Sequence, residues 1–100
     1  MKSRGRNAFS SGNYPEAEVL YGKGIEVSDE DSLKGRDLSI LYANRALARL
    51  NLGKVDEALE DGNQSTVTDA TYVKGWWRKA QALVAQGNNK EAKVSEDRKL

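Results

Sequence analysis

The chain has 100 residues, 38% of them hydrophobic, with 16 basic and 15 acidic side chains and a formal net charge of +1. That suffices for one small domain with a modest core, and the balanced charge leaves no global field for nucleic acid or an anionic membrane. Cysteine and histidine are absent, which excludes disulfides, thiol nucleophiles, the usual zinc ligands and the commonest general base.

No apolar run approaches the roughly 20 residues of a membrane span, and Met1 to Phe9 lacks the apolar stretch of a signal peptide. The expectation is a soluble domain, a piece of a longer protein, with no cofactor, no metal and no direct membrane insertion. Taken in order, the chain reads as six helices. Lys2 to Ser11 is the first, broken by Gly12-Asn13. Pro15 fits the first turn of the second, where its missing N–H costs nothing. Ala17, Leu20, Tyr21 and Gly24 continue that helix to about Val27. Ser28 to Gly35, with Asp29-Glu30-Asp31, reads as a polar connection, either a loop or a frayed helix extension.

From Asp37 to Leu52 the apolar pattern is dense. Ile40, Leu41, Ala43, Ala46, Leu47 and Leu50 recur at helical spacing and predict the most buried helix. Gly53 ends it, and Val55 to Thr66 forms its partner through Ala58 and Leu59. Gly62 inside that partner costs about 1 kcal/mol against alanine, so the helix must rely on packing. Thr71 to Gln86 is the fifth helix, ended by Gly87-Asn88. Lys90 to Arg98 is the sixth, with only Ala92 and Val94 for an apolar face.

An internal repeat organises these elements. Gly-x-x-x-Glu-Ala occurs at Gly12 with Glu16-Ala17, Gly53 with Glu57-Ala58, and Gly87 with Glu91-Ala92. The last two copies are 34 residues apart and the first two 41 apart, a period of 34 with a seven-residue insertion. Seven residues before each glycine stands a small residue, Gly5, Ala46 or Ala80.

These motifs, with Tyr21, Tyr42 and Trp76, make the chain similar to the tetratricopeptide repeat (TPR) family over nearly its whole length. The resemblance implies one all-α domain over 1–100. Three helix-turn-helix repeats, about 1–35, 36–70 and 71–100, would form a short right-handed solenoid with a concave peptide groove. It extends to the subclass that clamps the C-terminal carboxylate of Hsp70 and Hsp90 tails. That subclass resembles Lys-x-x-x-Asn in the first helix, Asn-Arg-Ala in the third and Lys-x-x-x-Arg in the fifth. Here Lys2, Asn44, Lys74 and Arg78 match, whereas Arg6 stands where the first asparagine would be.

The chemistry fits those residue types. A peptide ending in aspartate carries two neighbouring carboxylates, which need fixed cations and neutral donors. Lys2 and Lys74 would be point charges, Asn44 an amide donor and Arg78 a rigid fork. Arg6 would either add a charged donor or obstruct the pocket. Lys74, Trp77 and Arg78 share a helix face, so Trp77 would wall the groove, with Phe9, Leu47 and Val84 as further apolar candidates. Trp76, with Ala80 and Leu83, is assigned to the inter-helix core, and Arg45 and Lys79 to the solvated surface. The Trp-Trp-Arg run and the long first connection are also similar to the cytosolic repeat domain of fungal translocon subunits that recruit Hsp70 to the endoplasmic reticulum. The implied location is cytoplasmic, or on the cytosolic face of an organelle membrane through other segments or partners. No catalytic constellation is present in the sequence, and no enzyme is expected. The alternative of a different class is a scaffold that self-associates weakly through its sixth helix.

Overall fold

Asn13 uses its side chain to cap the helix that begins at Tyr14. Its carboxamide oxygen accepts the Glu16 N–H at 3.2 Å, and its Nδ2 donates to Glu16 Oε2 at 2.8 Å. A computed structural model describes residues 12–31 and 35–98. Its helices are α1 (Tyr14–Asp31), α2 (Arg36–Asn51), α3 (Val55–Thr68) and α4 (Val73–Arg98), and among the described residues there is no strand. The helix expected over Lys2 to Ser11 lies outside them. α1 runs beyond Val27 to Asp31, so the acidic run there is helical, and buried Ser28 donates its hydroxyl to the Ile25 carbonyl at 2.6 Å.

Gly53 makes the α2–α3 turn as the repeat predicts. At φ +79° it occupies the left-handed region. Its N–H bonds the Leu50 carbonyl at 3.2 Å and the Lys54 N–H bonds that of Arg49 at 2.8 Å, a Schellman closure that satisfies the last turn of α2. Successive helices then pack side by side, and α2 also meets α4 directly.

The apolar core lies between α1 and α2, where Ala17, Tyr21, Ile25, Leu41 and Ala48 are buried with Leu38 and Tyr42 against them. The α2–α3–α4 contacts are different in kind. Ser39 and Ser65, both fully buried, each donate a hydroxyl to the other's carbonyl, at 2.7 and 2.8 Å. A methyl group on Gly62 would stand 2.8 Å from the Lys79 Cα, and one on Gly75 would fall on the Ser65 hydroxyl. Side chains this small let the backbones approach closely, so the interior glycine of α3 is a packing residue.

Asp61 locks the same interface. Only 1% exposed, it accepts Arg45 Nε and Nη2 at 2.9 and 2.8 Å and Arg49 Nη1 at 2.9 Å. Arg49 Nε continues to Glu18 at 2.8 Å, and Lys54 Nζ meets the other Glu18 oxygen at 2.8 Å. Hydrogen bonding from Lys54, with a lesser contribution from Arg49, holds the Glu18 carboxyl below its ordinary range against the opposing effect of burial. The Asp61 carboxylate raises the Arg45 guanidinium above its usual value. Arg45 is therefore a partly buried ion-pair residue and not the surface charge that helical rotation alone suggests.

Three further expectations are corrected at α4. The helix runs unbroken through Gly87-Asn88 for 26 residues, and no separate sixth helix turns back. Trp76, assigned to the core, is 48% exposed, and Ala80 and Leu83 of its stripe are exposed too. The cause is shared, because the stripe's covering element would be the returning helix. Trp76 instead folds over the α3–α4 connection, its Nε1 donating to the Ala70 carbonyl at 2.8 Å with Lys79 Nζ 5.3 Å above the ring.

Two substitutions test this packing by chemical denaturation monitored by helical circular dichroism. Asp61→Ala leaves two arginines facing a buried void and is expected to cost about 3–5 kcal/mol. Gly62→Ala should destabilise by about 1–3 kcal/mol through overpacking against Lys79, although alanine is favoured in an open helix by about 1 kcal/mol. A stabilised Gly62→Ala variant would contradict the close approach.

Candidate peptide groove

The parallel course of α2 and α4 sets the register of the site. Arg36, at the start of α2, donates Nε to Asp69 at 2.7 Å and Nη2 to the Thr71 hydroxyl at 3.0 Å, and its Cζ lies 5.3 Å from the Tyr72 ring centroid. The first turn of α2 is thus pinned beside the residues that lead into α4. Asn44, about two turns into α2, comes level with Arg78, between one and two turns into α4. Lys74 precedes Arg78 by one turn on the same face.

These three side chains have spare hydrogen-bonding capacity. Asn44 is half-buried and Lys74 exposed, and neither side chain has a hydrogen-bond or ion-pair partner among the described residues. Arg78 donates Nη1 to Gln81 Oε1 at 2.8 Å, but its buried Nε has no partner and no described carboxylate reaches it. Burial lowers its pKa, partly countered by Tyr72. Arg36, Arg45, Arg49 and Lys54, by contrast, all have carboxylate partners. Trp77, 60% exposed, borders a hollow of about 400 Å³ with Ala80, Gln81, Val84 and Ala85. Leu47 is half-buried on α2. Lys2, Arg6 and Phe9 lie outside the described residues, so the opposite wall is not described. A second hollow of about 400 Å³ over Tyr42, Glu57 and Glu60 includes Arg45 and Arg49, whose charges are already taken by Asp61 and Glu18.

No family model matches the chain. The NMR structure of the second TPR domain of the human RPAP3 protein, in complex with the HSP70 peptide SGPTIEEVD, superimposes with a TM-score of 0.72. It is 33% identical, with 93% of this chain and 72% of that one covered. The chain belongs to the tetratricopeptide repeat family. Two curated relatives of this TPR domain are the fission yeast (Schizosaccharomyces pombe) ER protein translocation subcomplex subunit sec67, 33% identical over 93% of this chain, and human DnaJ homolog subfamily C member 7, 34% identical over 91%. The chain spans 52% of the first relative's length and 18% of the second's.

Sequence reasoning missed Asp61 and the Arg36–Asp69 anchor of the TPR groove. A signal for the first was available, because Ala58, Asp61, Gly62 and Ser65 form one helical stripe, and an acid on a stripe of small residues needs a buried cation. The anchor joins residues far apart in sequence, and no local pattern announces it.

The anchor is pH-sensitive. Thr71 and Arg36 hydrogen bonds lower the Asp69 carboxyl from 3.8 to about 2. With the folded value below the unfolded one, its contribution to stability is present above about pH 4 and disappears as pH falls through about 2. Asp69→Asn should remove the corresponding part of the acid-induced loss of melting temperature; an unchanged acid limb would show that the anchor contributes nothing.

Proposed function

We propose that this TPR domain is an interaction module that docks the acidic C-terminal tail of an Hsp70-type chaperone, with the Hsp90 tail as the closest competing ligand. The observation that carries the reading is the partly buried Arg78, whose Nε is unpartnered. A cation desolvated without a carboxylate is costly in the free domain, and an incoming carboxylate removes that cost. Lys74 one turn away adds like-charge repulsion of about 0.2–0.5 kcal/mol, which an anion between the two would reverse. Asn44 would supply a neutral donor from α2, and Lys2 with Arg6 the cations of the opposite wall. Trp77 and its hollow suit an apolar residue upstream of the acidic end, which is why the Hsp70 tail is preferred. The peptide held by the RPAP3 domain ends in Glu-Glu-Val-Asp, with the carboxylates and the apolar residue that this groove would accept.

Similarity to an ER translocation subunit over 93% of the chain favours a more specific reading of the same activity. The domain would receive the chaperone on the cytosolic face of the translocon, held there by other segments or partners.

Tryptophan fluorescence titrated with SGPTIEEVD tests the docking. The free-acid peptide should bind at least about tenfold more tightly than its C-terminal amide, since a charge-assisted pair is worth about 1.5–3 kcal/mol. Its affinity should fall as salt rises. Lys74→Ala and Arg78→Ala should each weaken binding at least about tenfold with helicity preserved. Equal binding of acid and amide would sink the carboxylate clamp. Tighter binding by Arg6→Asn would identify Arg6 as an obstruction.

A further inference from the structure

Arg78 is held differently from Arg36, Arg45 and Arg49. Those three each meet a carboxylate, whereas Arg78 Nη1 donates to the Oε1 of Gln81 at 2.8 Å. The two residues stand at i and i+3 on one face, so α4 itself brings them together. A guanidinium only donates, and the carboxamide must turn its oxygen towards it. Half-buried Gln81 also lines the hollow with Trp77, Ala80, Val84 and Ala85. It therefore stands between the cation and the apolar part of the groove.

The bond takes Nη1 and leaves the edge formed by Nε and Nη2, where no described residue accepts. Arg45 grips Asp61 through that same edge, at 2.9 and 2.8 Å. A carboxylate arriving at Arg78 would thus meet a geometry that the interior of this fold already uses. The acceptor at Nη1 is also neutral. Glutamate has nearly the same shape as glutamine, yet its charge would pair with Arg78 from within and compete with any tail.

We infer that Gln81 is a positioning residue of the groove: its neutral carboxamide holds Arg78 by Nη1, so that the Nε–Nη2 edge faces the incoming C-terminal carboxylate with its charge uncompensated. This rests on the docking of an acidic tail proposed above. Ordering a long side chain in advance removes part of the cost of fixing it on binding, and the amide does so without the counter-charge that would close the site.

Fluorescence titration with SGPTIEEVD and its C-terminal amide tests the role of Gln81. The wild type, which should prefer the free acid, tests the docking reading by itself; without that preference, the docking reading and the role of Gln81 both fall. With it, Gln81→Glu should weaken binding of the free acid at least about tenfold, as a charge-assisted pair turned inward would. The ratio of acid to amide affinity should move towards one with helicity unchanged. Gln81→Met keeps the length and the apolar stem but not the acceptor, and should weaken the free acid about two- to tenfold. In an Arg78→Ala background the same change should cost nothing further, because the tether has nothing to hold. A Gln81→Glu variant that binds the free acid as the wild type does overturns the inference and leaves the docking reading intact. So does a Gln81→Met loss that is equal for acid and amide, or that persists without Arg78; either would make Gln81 a wall of the hollow only.

Discussion

The Asp61 carboxylate, buried where α2 and α3 meet, is the constraint on which the other contacts depend. A buried carboxylate is tolerated only with its hydrogen-bonding capacity met, and here three N–H donors from two arginines meet it. Arg45 and Arg49 are one turn apart, so both reach Asp61 only when α2 and α3 hold one register. The second arginine also bonds Glu18, which carries that register into α1. Such a network is not automatically more stabilising than an apolar core of the same shape. Its physical consequence is directional, because sliding either helix by one turn would strand a charge, whereas the small residues around it would resist sliding weakly.

The same constraint divides the cations into two populations. Arg45 and Arg78 are both partly buried, yet their pKa values move in opposite directions. Arg45 is raised by the carboxylate beside it, and Arg78 is lowered because burial acts without one. Burial is similar in the two cases and the partner is what differs. Since the interior of the α2–α3 hairpin has taken its own cations for structure, the unmet donors lie on the α2–α4 face. Arg36 fixes that face from its far end by tying α2 to the residues before α4.

Local features were legible wherever one repeat contains everything that determines the outcome. Gly53 turns because Leu50, Arg49 and Lys54 supply the closing hydrogen bonds within a few residues, and Asn13 caps α1 with Glu16 for the same reason. Ala17, Ala46 and Ala58 are fully buried as the repeat pattern requires. Gly87 carries the same motif and does not turn, because a helical hairpin also needs a second helix able to bury a face, and Lys90 to Arg98 is too polar to do so. The misplacement of Trp76 follows from that single difference. Arg45 was misread for another reason: rotation about one helix gives the direction of a side chain but not the acid waiting on the neighbouring helix. In the proposed groove, Asn44, Lys74, Trp77 and Arg78 could be named together because the repeat period aligns them. Their environment, especially the unpartnered Arg78 Nε, required the packed helices.

The two faces of α4 are set apart by its helical rotation. At about 100° per residue, Lys74, Trp77 and Arg78 lie on a different side of the helix from Val73, Trp76 and Leu83. The adjacent tryptophans mark the division: Trp77 borders the hollow with Val84 and Ala85, whereas Trp76, one residue and about 100° away, closes over the α3–α4 connection through the Ala70 carbonyl. Only the first of the two therefore stands on the face where Arg78 keeps an unpartnered Nε.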